Sequence, residues 1–328
     1  MSIDRDHPDT GPVLGDPDVA ATPAERLRTK MAASRVQFTW LGTQKSLSRA
    51  QRATAAEPFD ADGASLSAAK KLLDTAHPAF RAVTAVRTRV VDRWRDLSLP
   101  FPEPAIRLLR REDVSPFAAA MAGHRVELAQ AVAALDRDYA ELRDAAAARL
   151  GSLFDPADYP ESLVGLFDVA WDFPSVEPPG YLLRLAPAVY AEERARTAAR
   201  FEEAARLAEA AFVEEFARLV DHLAERLDGT DADGAPKVFR ESAVGNLSEF
   251  FARFRMLDVG SNAELDALVE RARRLVRGVG ARDLRETPPV RTRVATGMAR
   301  IRDSLDAMLV DRPRRRVLRR AEPAGAVS

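Results

Sequence analysis

Apolar residues recur at intervals of three and four in two long stretches of the chain, residues 116–150 and 188–228. This spacing places them on one face of an α-helix, so each stretch predicts a long helix with a continuous apolar seam. A compact neighbour cannot cover a seam of that length. We therefore expect an antiparallel, coiled-coil-like hairpin over about residues 115–228. The side chains expected to meet across it are Phe201, Phe212 and Phe216 on one helix and Leu128, Leu135, Tyr139 and Leu142 on the other.

Shorter helices are predicted from the same periodicity and from helix end signals. Thr22-Pro23-Ala24-Glu25 and Ser261-Asn262-Ala263-Glu264 have the pattern of capping boxes, in which two side chains satisfy the first free backbone N–H groups. The first should open a helix to about Ser34, and the second a helix that ends at Gly278. The other predicted helices span residues 65–76, 79–97, 239–256 and 289–310.

Three short stretches are candidates for β-strands. Val36, Phe38 and Trp40 alternate with polar residues, and a second alternation spans residues 167–173. A third candidate, residues 105–109, follows a proline-rich run. We expect the first two to belong to one small β element.

Together these elements predict a mainly α protein with a long antiparallel helical hairpin, a helical bundle and a small β element. Its parts would be a disordered acidic tail (1–22), a helical core with the hairpin (23–280), and a basic C-terminal helix and tail (281–328). The first 22 residues contain five Asp and three Pro, unlike a secretion signal. No apolar run approaches the roughly eighteen residues of a membrane helix. We therefore expect a cytoplasmic location and no membrane.

The residue types that most often carry catalysis or bind metals are absent or scattered. The chain has no cysteine, which excludes disulfides, thiolate zinc sites and cysteine nucleophiles. Gly278-Val279-Gly280 lacks the third spaced glycine of a dinucleotide loop, and Arg240 stands where a calcium loop starting at Asp231 would need an acidic residue. We expect no catalytic residue, cofactor or metal. A helical enzyme with a site built from scattered Asp, Glu and Arg stays an alternative.

Charge is distributed unevenly along the chain. Residues 271–320 contain sixteen Arg, no Lys and five acidic residues, although the net charge of the whole chain is −1. Such a region is complementary to an acidic protein surface or to nucleic acid. Alternatively, the arginines from Arg271 to Arg302 pair with the acidic faces of the second long helix, at Glu192, Glu193, Glu202, Glu203, Glu214 and Glu215. The densest part, our predicted interaction site, comprises Arg312, Arg314, Arg315, Arg316, Arg319 and Arg320.

Three groups of residues carry a resemblance to a known family. They are Phe38-Thr39-Trp40-Leu41-Gly42, the stretch from Asp158-Tyr159-Pro160 to Trp171, and Lys237-Val238-Phe239-Arg240 to Asn246-Leu247 followed by residues 265–269. Over most of residues 35–278 the chain resembles an uncharacterised helical family of phages and bacteria, known only as a domain of unknown function. Its members are similar in tending to be encoded near MoxR-type AAA+ ATPases and von Willebrand A-domain proteins. The resemblance implies an accessory or adaptor role and transfers no catalytic residue.

These observations favour a non-enzymatic helical scaffold or adaptor whose hairpin and basic C-terminal region bind a protein partner. An AAA+ ATPase or a von Willebrand A-domain protein would be that partner, and the oligomeric state is left open. The alternative is a nucleic-acid-associated protein of a phage or mobile element that acts through the Arg-rich region. No aromatic residue is interleaved there to stack on bases, which weakens binding to single strands.

Overall fold

A computed structural model describes residues 21–228, 242–258 and 260–310. Within these ranges the protein is mainly α with a small antiparallel β element, as predicted. The helices are α1 (Pro23–Lys30), α2 (Arg49–Ala56), α3 (Pro78–Asp96), α4 (Val114–Arg137), α5 (Tyr139–Leu150), α6 (Leu182–Leu185), α7 (Pro187–Asp228), α8 (Ser242–Leu257), α9 (Ala263–Val276), α10 (Ala281–Glu286) and α11 (Pro288–Val310). The strands are β1 (Met31–Thr39), β2 (Gln44–Ser46), β3 (Ala69–Lys71), β4 (Ser98–Pro100), β5 (Ile106–Arg110) and β6 (Asp168–Asp172). The predicted acidic tail lies outside the described residues except for residues 21 and 22.

The predicted capping box at Thr22 begins α1. The Thr22 backbone N–H donates to Glu25 Oε2 at 2.8 Å, and the Glu25 N–H donates to Thr22 Oγ1 at 3.2 Å. The helix ends at Lys30 rather than near Ser34, because the chain enters β1 at Met31. The backbone of β1 is hydrogen-bonded to β5 on one side and to β6 on the other, which only an extended chain allows.

The main sheet has four antiparallel strands in the order β4-β5-β1-β6. The two strands predicted to share a β element pair directly, with Val36 opposite Trp171 and Phe38 opposite Val169. The third candidate is β5. The helix predicted for residues 65–76 is wrong, because β3 lies within it and pairs with β2. Pairing with a strand distant in sequence overrides the local helical pattern there.

The sheet lies between two hydrophobic cores. On one face, Met31 and Ala33 of β1 and Leu108 of β5 join the C-terminal core, formed mainly by buried side chains of α1, α7, α8, α9 and α11. On the other face, Val36 and Leu109 join the N-terminal core, formed mainly by α3, α4 and α5. Because successive side chains of a strand point to opposite faces, β1 and β5 contribute to both cores.

The predicted hairpin is not formed by the described residues. Phe201, Phe212 and Phe216 of α7 are buried in the C-terminal core. Their expected partners, Leu128, Leu135, Tyr139 and Leu142, are buried in the N-terminal core. The physical reason lies in the width of the buried face of α7. It also buries Ala204, Val213, Ala217, Val220 and Ala224, and a stripe that wide is covered by several helices rather than by one partner.

The first long helix of the prediction is divided in two at Asp138. The Asp138 backbone N–H donates to the Leu135 carbonyl at 3.2 Å, a tighter turn than the α-helical one. Tyr139 and Leu142 of α5 nevertheless stay buried in the N-terminal core with Leu135 of α4. The apolar seam therefore continues across the break, although the helix does not.

A group of phenylalanines joins α7 to α8 in the C-terminal core. The rings of Phe216 and Phe250 are stacked with centroids 5.1 Å apart, and the rings of Phe212 and Phe254 meet edge to face at 5.0 Å. Phe250 also lies 6.2 Å from Phe212 and 6.0 Å from Phe251. Phe250 thus contacts every other member of the group and should contribute strongly to the stability of the core.

We expect Phe250→Ala to lower the free energy of unfolding by about 3 to 5 kcal/mol, because it removes a ring that is 1% exposed and leaves a cavity. Urea unfolding followed by circular dichroism measures this change. Phe59→Ala is the matched control, since Phe59 is 80% exposed and its loss should change stability by less than about 0.5 kcal/mol. Equal effects of the two substitutions would contradict the assignment of Phe250 to the core.

Candidate functional site

The six arginines of the predicted interaction site, Arg312 to Arg320, lie outside the described residues. The structure does describe the preceding part of the basic region, residues 271–310 except for a few side chains. There Arg273 pairs with Glu270 at 3.2 Å and Arg282 pairs with Glu286 at 2.9 Å. In the described part of the chain, six arginines of this region have no carboxylate within ion-pair distance, namely Arg271, Arg277, Arg285, Arg291, Arg293 and Arg300.

Among the described residues, three glutamates of the second long helix pair with arginines outside the basic region. Glu193 and Glu203 pair with Arg196 and Arg206, each one turn further along α7. Glu215 pairs with Arg253 of α8. Neighbours three residues apart on a helix are already close, which favours the pairs of Glu193 and Glu203. The partner of Glu215 is brought close by the packing of α8 on α7.

One arginine of the basic region does reach α7, but through the backbone. Arg291 of α11 donates from Nε and Nη2 to the Leu227 carbonyl, at 2.9 and 2.8 Å. The last carbonyls of a helix have no partner within the helix, and the C-terminal end carries partial negative charge. Arg291 therefore joins the end of α7 to α11 and has a structural role.

A buried ion-pair cluster holds the stretch around Asp158. Its carboxylate is sealed from solvent and binds Lys45 of β2 and Lys70 of β3, the second at 2.6 Å. Lys70 also donates to the Leu153 carbonyl at 2.6 Å, and the Tyr159 hydroxyl donates to the Leu72 carbonyl at 3.1 Å. Hydrogen bonds from Lys45 and then Lys70 lower the pKa of Asp158. The Asp158-Tyr159 pair, part of the resemblance, thus fastens this stretch to β2 and β3.

An exposed apolar segment spans α6 and the first turn of α7. It consists of Tyr181, Leu183, Leu185 and Val189, of which Leu185 is 78% exposed and Leu183 56% exposed. Tyr181 and Val189 are 58% and 46% exposed. We call these four residues the apolar segment. The sequence carries a signal for it, because residues 178–191 contain one charged residue, Arg184, in a chain that is 30% charged.

The apolar segment is ordered by backbone hydrogen bonds on both sides of Pro187. The Ala186 N–H donates to the Leu182 carbonyl at 2.8 Å, and the Tyr190 N–H donates to the Ala186 carbonyl at 3.0 Å. The first ten residues of α7 contain no buried side chain, and Thr197 is the first that is buried. The start of α7 therefore extends beyond the core that holds the rest of the helix.

Comparisons with known proteins give no further assignment. No protein-family model, curated protein or solved structure matches the chain. Among the described residues, no group of three or more His, Asp or Glu is arranged to hold a metal ion. None of the helices in the described ranges is both long enough and apolar enough to cross a membrane.

We expect Asp158→Asn to lower the free energy of unfolding at pH 7 by about 3 to 5 kcal/mol, because it leaves Lys70 buried without its anion. The pKa of Asp158 is lowered in the folded protein, so its contribution is present above the unfolded value of about 3.9. This stabilising contribution is lost as the pH falls through the lower pKa that Asp158 has in the folded protein. Urea midpoints at pH 7 and pH 3 should show a difference from wild type that shrinks on acidification.

The control for this experiment is Asp168→Asn. Asp168 pairs with Arg125 at 2.7 Å, but both side chains are partly exposed, so the loss should stay below about 1 kcal/mol. A loss for Asp158→Asn no larger than that of the control would contradict the structural role of the buried cluster.

Proposed function

We propose that the protein is a non-enzymatic, cytoplasmic scaffold or adaptor that binds a protein partner through the apolar segment. The observation that carries the proposal is the exposure of four large apolar side chains close together along the chain: Tyr181 directly before α6, Leu183 and Leu185 in α6, and Val189 in the first turn of α7. Contiguous exposed apolar surface on a soluble protein marks an interaction site, because leaving it in water is unfavourable.

The position of the apolar segment suits docking. From Phe201 onward α7 is anchored in the C-terminal core, whereas its first turns are free of the core. A helical segment that is already ordered loses little conformational entropy on binding, so more of its contact energy appears as affinity. Helix α6 and the first turn of α7 therefore present the apolar side chains in a fixed arrangement to a partner.

The charge of the apolar segment defines the chemistry of the partner. Arg184, between Leu183 and Leu185, is the one charged residue in the stretch 178–191 and is exposed. The complementary surface is an apolar groove with an acidic residue at its rim. Helices with an apolar face bind in grooves of this kind. The resemblance described above makes a MoxR-type AAA+ ATPase or a von Willebrand A-domain protein the first partner to test.

The test is the double variant Leu183→Ser with Leu185→Ser, titrated against the purified ATPase and von Willebrand A-domain protein of the same cell by biolayer interferometry. We expect wild type to bind one of them and the variant to lose at least about tenfold in affinity, with an unchanged melting temperature because both side chains are exposed. Phe59→Ser, at an exposed position elsewhere, should bind like wild type.

Sedimentation velocity of the same variants separates an adaptor from a self-associating protein. A wild-type dimer that is abolished in the double variant would assign the apolar segment to a second copy of the chain and would contradict the proposal. Absence of binding to both candidate partners would also contradict it.

A second candidate function is nucleic-acid binding through the basic region. The observation that favours it is the set of exposed arginines without ion pairs, including Arg277, Arg285, Arg293 and Arg300. Fluorescence anisotropy with labelled DNA at two salt concentrations tests it. Binding through phosphates weakens steeply as salt rises, and absence of binding at low salt excludes this function.

A further inference from the structure

A concave pocket lies at the edge of the main sheet, where the end of α3, strand β4, the middle of α7 and the end of α8 meet. Its volume is about 450 Å³, within the range of small-molecule sites. Four arginines from four different elements line it: Arg95 of α3, Arg107 of β5, Arg218 of α7 and Arg253 of α8. Cations from distant parts of the chain therefore converge on one cavity.

Arg107 is held in a fixed position at this pocket. Its Nε donates to Ser98 Oγ and its Nη2 to the Ser98 carbonyl, both at 2.8 Å. The guanidinium also lies 6.0 Å from the centroid of the Trp94 ring. A side chain fixed in this way is pre-organised for a ligand, because little rotamer entropy is lost when the ligand binds.

The positive charge of Arg107 is not compensated. In the part of the chain that the structure describes, no carboxylate lies within ion-pair distance of it. Burial lowers the pKa of Arg107 to about 10, and the positive charges of Arg95 and Arg253 add to this effect. The surroundings of Arg107 thus favour the approach of a negative charge.

The other charges around the pocket leave an excess of cations. Arg253 is paired, since it bridges Asp96 at 3.3 Å and Glu215. Among the described residues Arg95 and Arg218, like Arg107, have no carboxylate at ion-pair distance. Asp92 is the remaining acidic residue of the lining. The lining therefore holds four arginines and three carboxylates, an excess of one positive charge.

We propose that this pocket binds a small organic anion, whose phosphate or carboxylate group contacts Arg107 and Arg218 and whose apolar part packs against Phe212 and Leu257. Arginine is suited to this role, because its planar fork donates two hydrogen bonds to one phosphate or carboxylate. Phe212 and Leu257 belong to the lining and supply the apolar wall. The site is separate from the apolar segment and does not depend on the adaptor function.

Isothermal titration calorimetry tests the ligand class. The full chain is titrated with phenyl phosphate, benzoate and inorganic phosphate in chloride buffer of constant ionic strength. We expect phenyl phosphate or benzoate to bind, and inorganic phosphate to bind at least about tenfold more weakly because it buries no apolar surface. The stronger of the two organic probes identifies the anionic group. Lack of binding by both organic probes, or equally tight binding of inorganic phosphate, would overturn the proposal.

Two variants and a matched control locate the site. Arg107→Gln and Arg218→Gln should each weaken the binding of the organic anion about tenfold, the loss expected for a charge-assisted hydrogen bond. Arg218 is exposed, so its variant should fold normally even if Arg107→Gln does not. Arg194→Gln removes an exposed charge from the same helix outside the pocket and should bind like wild type. Wild-type affinity in Arg218→Gln would place the anion elsewhere and overturn the proposal.

Discussion

Strand β1 is the element on which the rest of the architecture depends. It is hydrogen-bonded to β5 and β6, and its two faces enter different cores, with Met31 and Ala33 on one side and Val36 on the other. A strand buried on both sides must satisfy all its backbone groups within the sheet. The helices of the two cores are therefore positioned by one extended segment of nine residues.

Helix α7 connects the C-terminal core with the surface of the protein. Its middle is buried in the C-terminal core, its end is joined to α11 by Arg291, and its first turn adjoins α6 and completes the apolar segment. The arginine pocket opens beside the same helix, at Arg218. Both proposed sites therefore share a rigid support, and neither relies on a long loop for its geometry.

Arginine serves several purposes in this protein, and the contacts distinguish them. Arg35 pairs with Asp172 across the β1 and β6 strands, and Arg28 pairs with Glu177. These pairs are partly exposed, so each adds at most about 1 kcal/mol, and their role is to set register and position. Arg107 has no carboxylate partner in the described part of the chain, and on this we base the proposed anion site.

The sequence by itself determined the helices whose signals are local. The capping box at Thr22 and the periodicity of α7 depend on residues a few positions apart, and the structure has both. At the second predicted capping box α9 does begin, but Asn262 rather than Ser261 is the N-cap, and its side chain accepts from the Glu264 and Leu265 N–H groups. The alternation around Phe38 and Phe167 likewise indicated paired strands.

Only the tertiary structure decided which apolar helix faces pack against each other, because periodicity shows that a face is buried without identifying its partner. It placed Phe212 on Phe254 rather than on Leu135, turned residues 69–71 into a strand, and brought Arg107 together with Arg218. Contacts between residues so distant along the chain leave no periodic trace in a single sequence, since they depend on how complete elements pack.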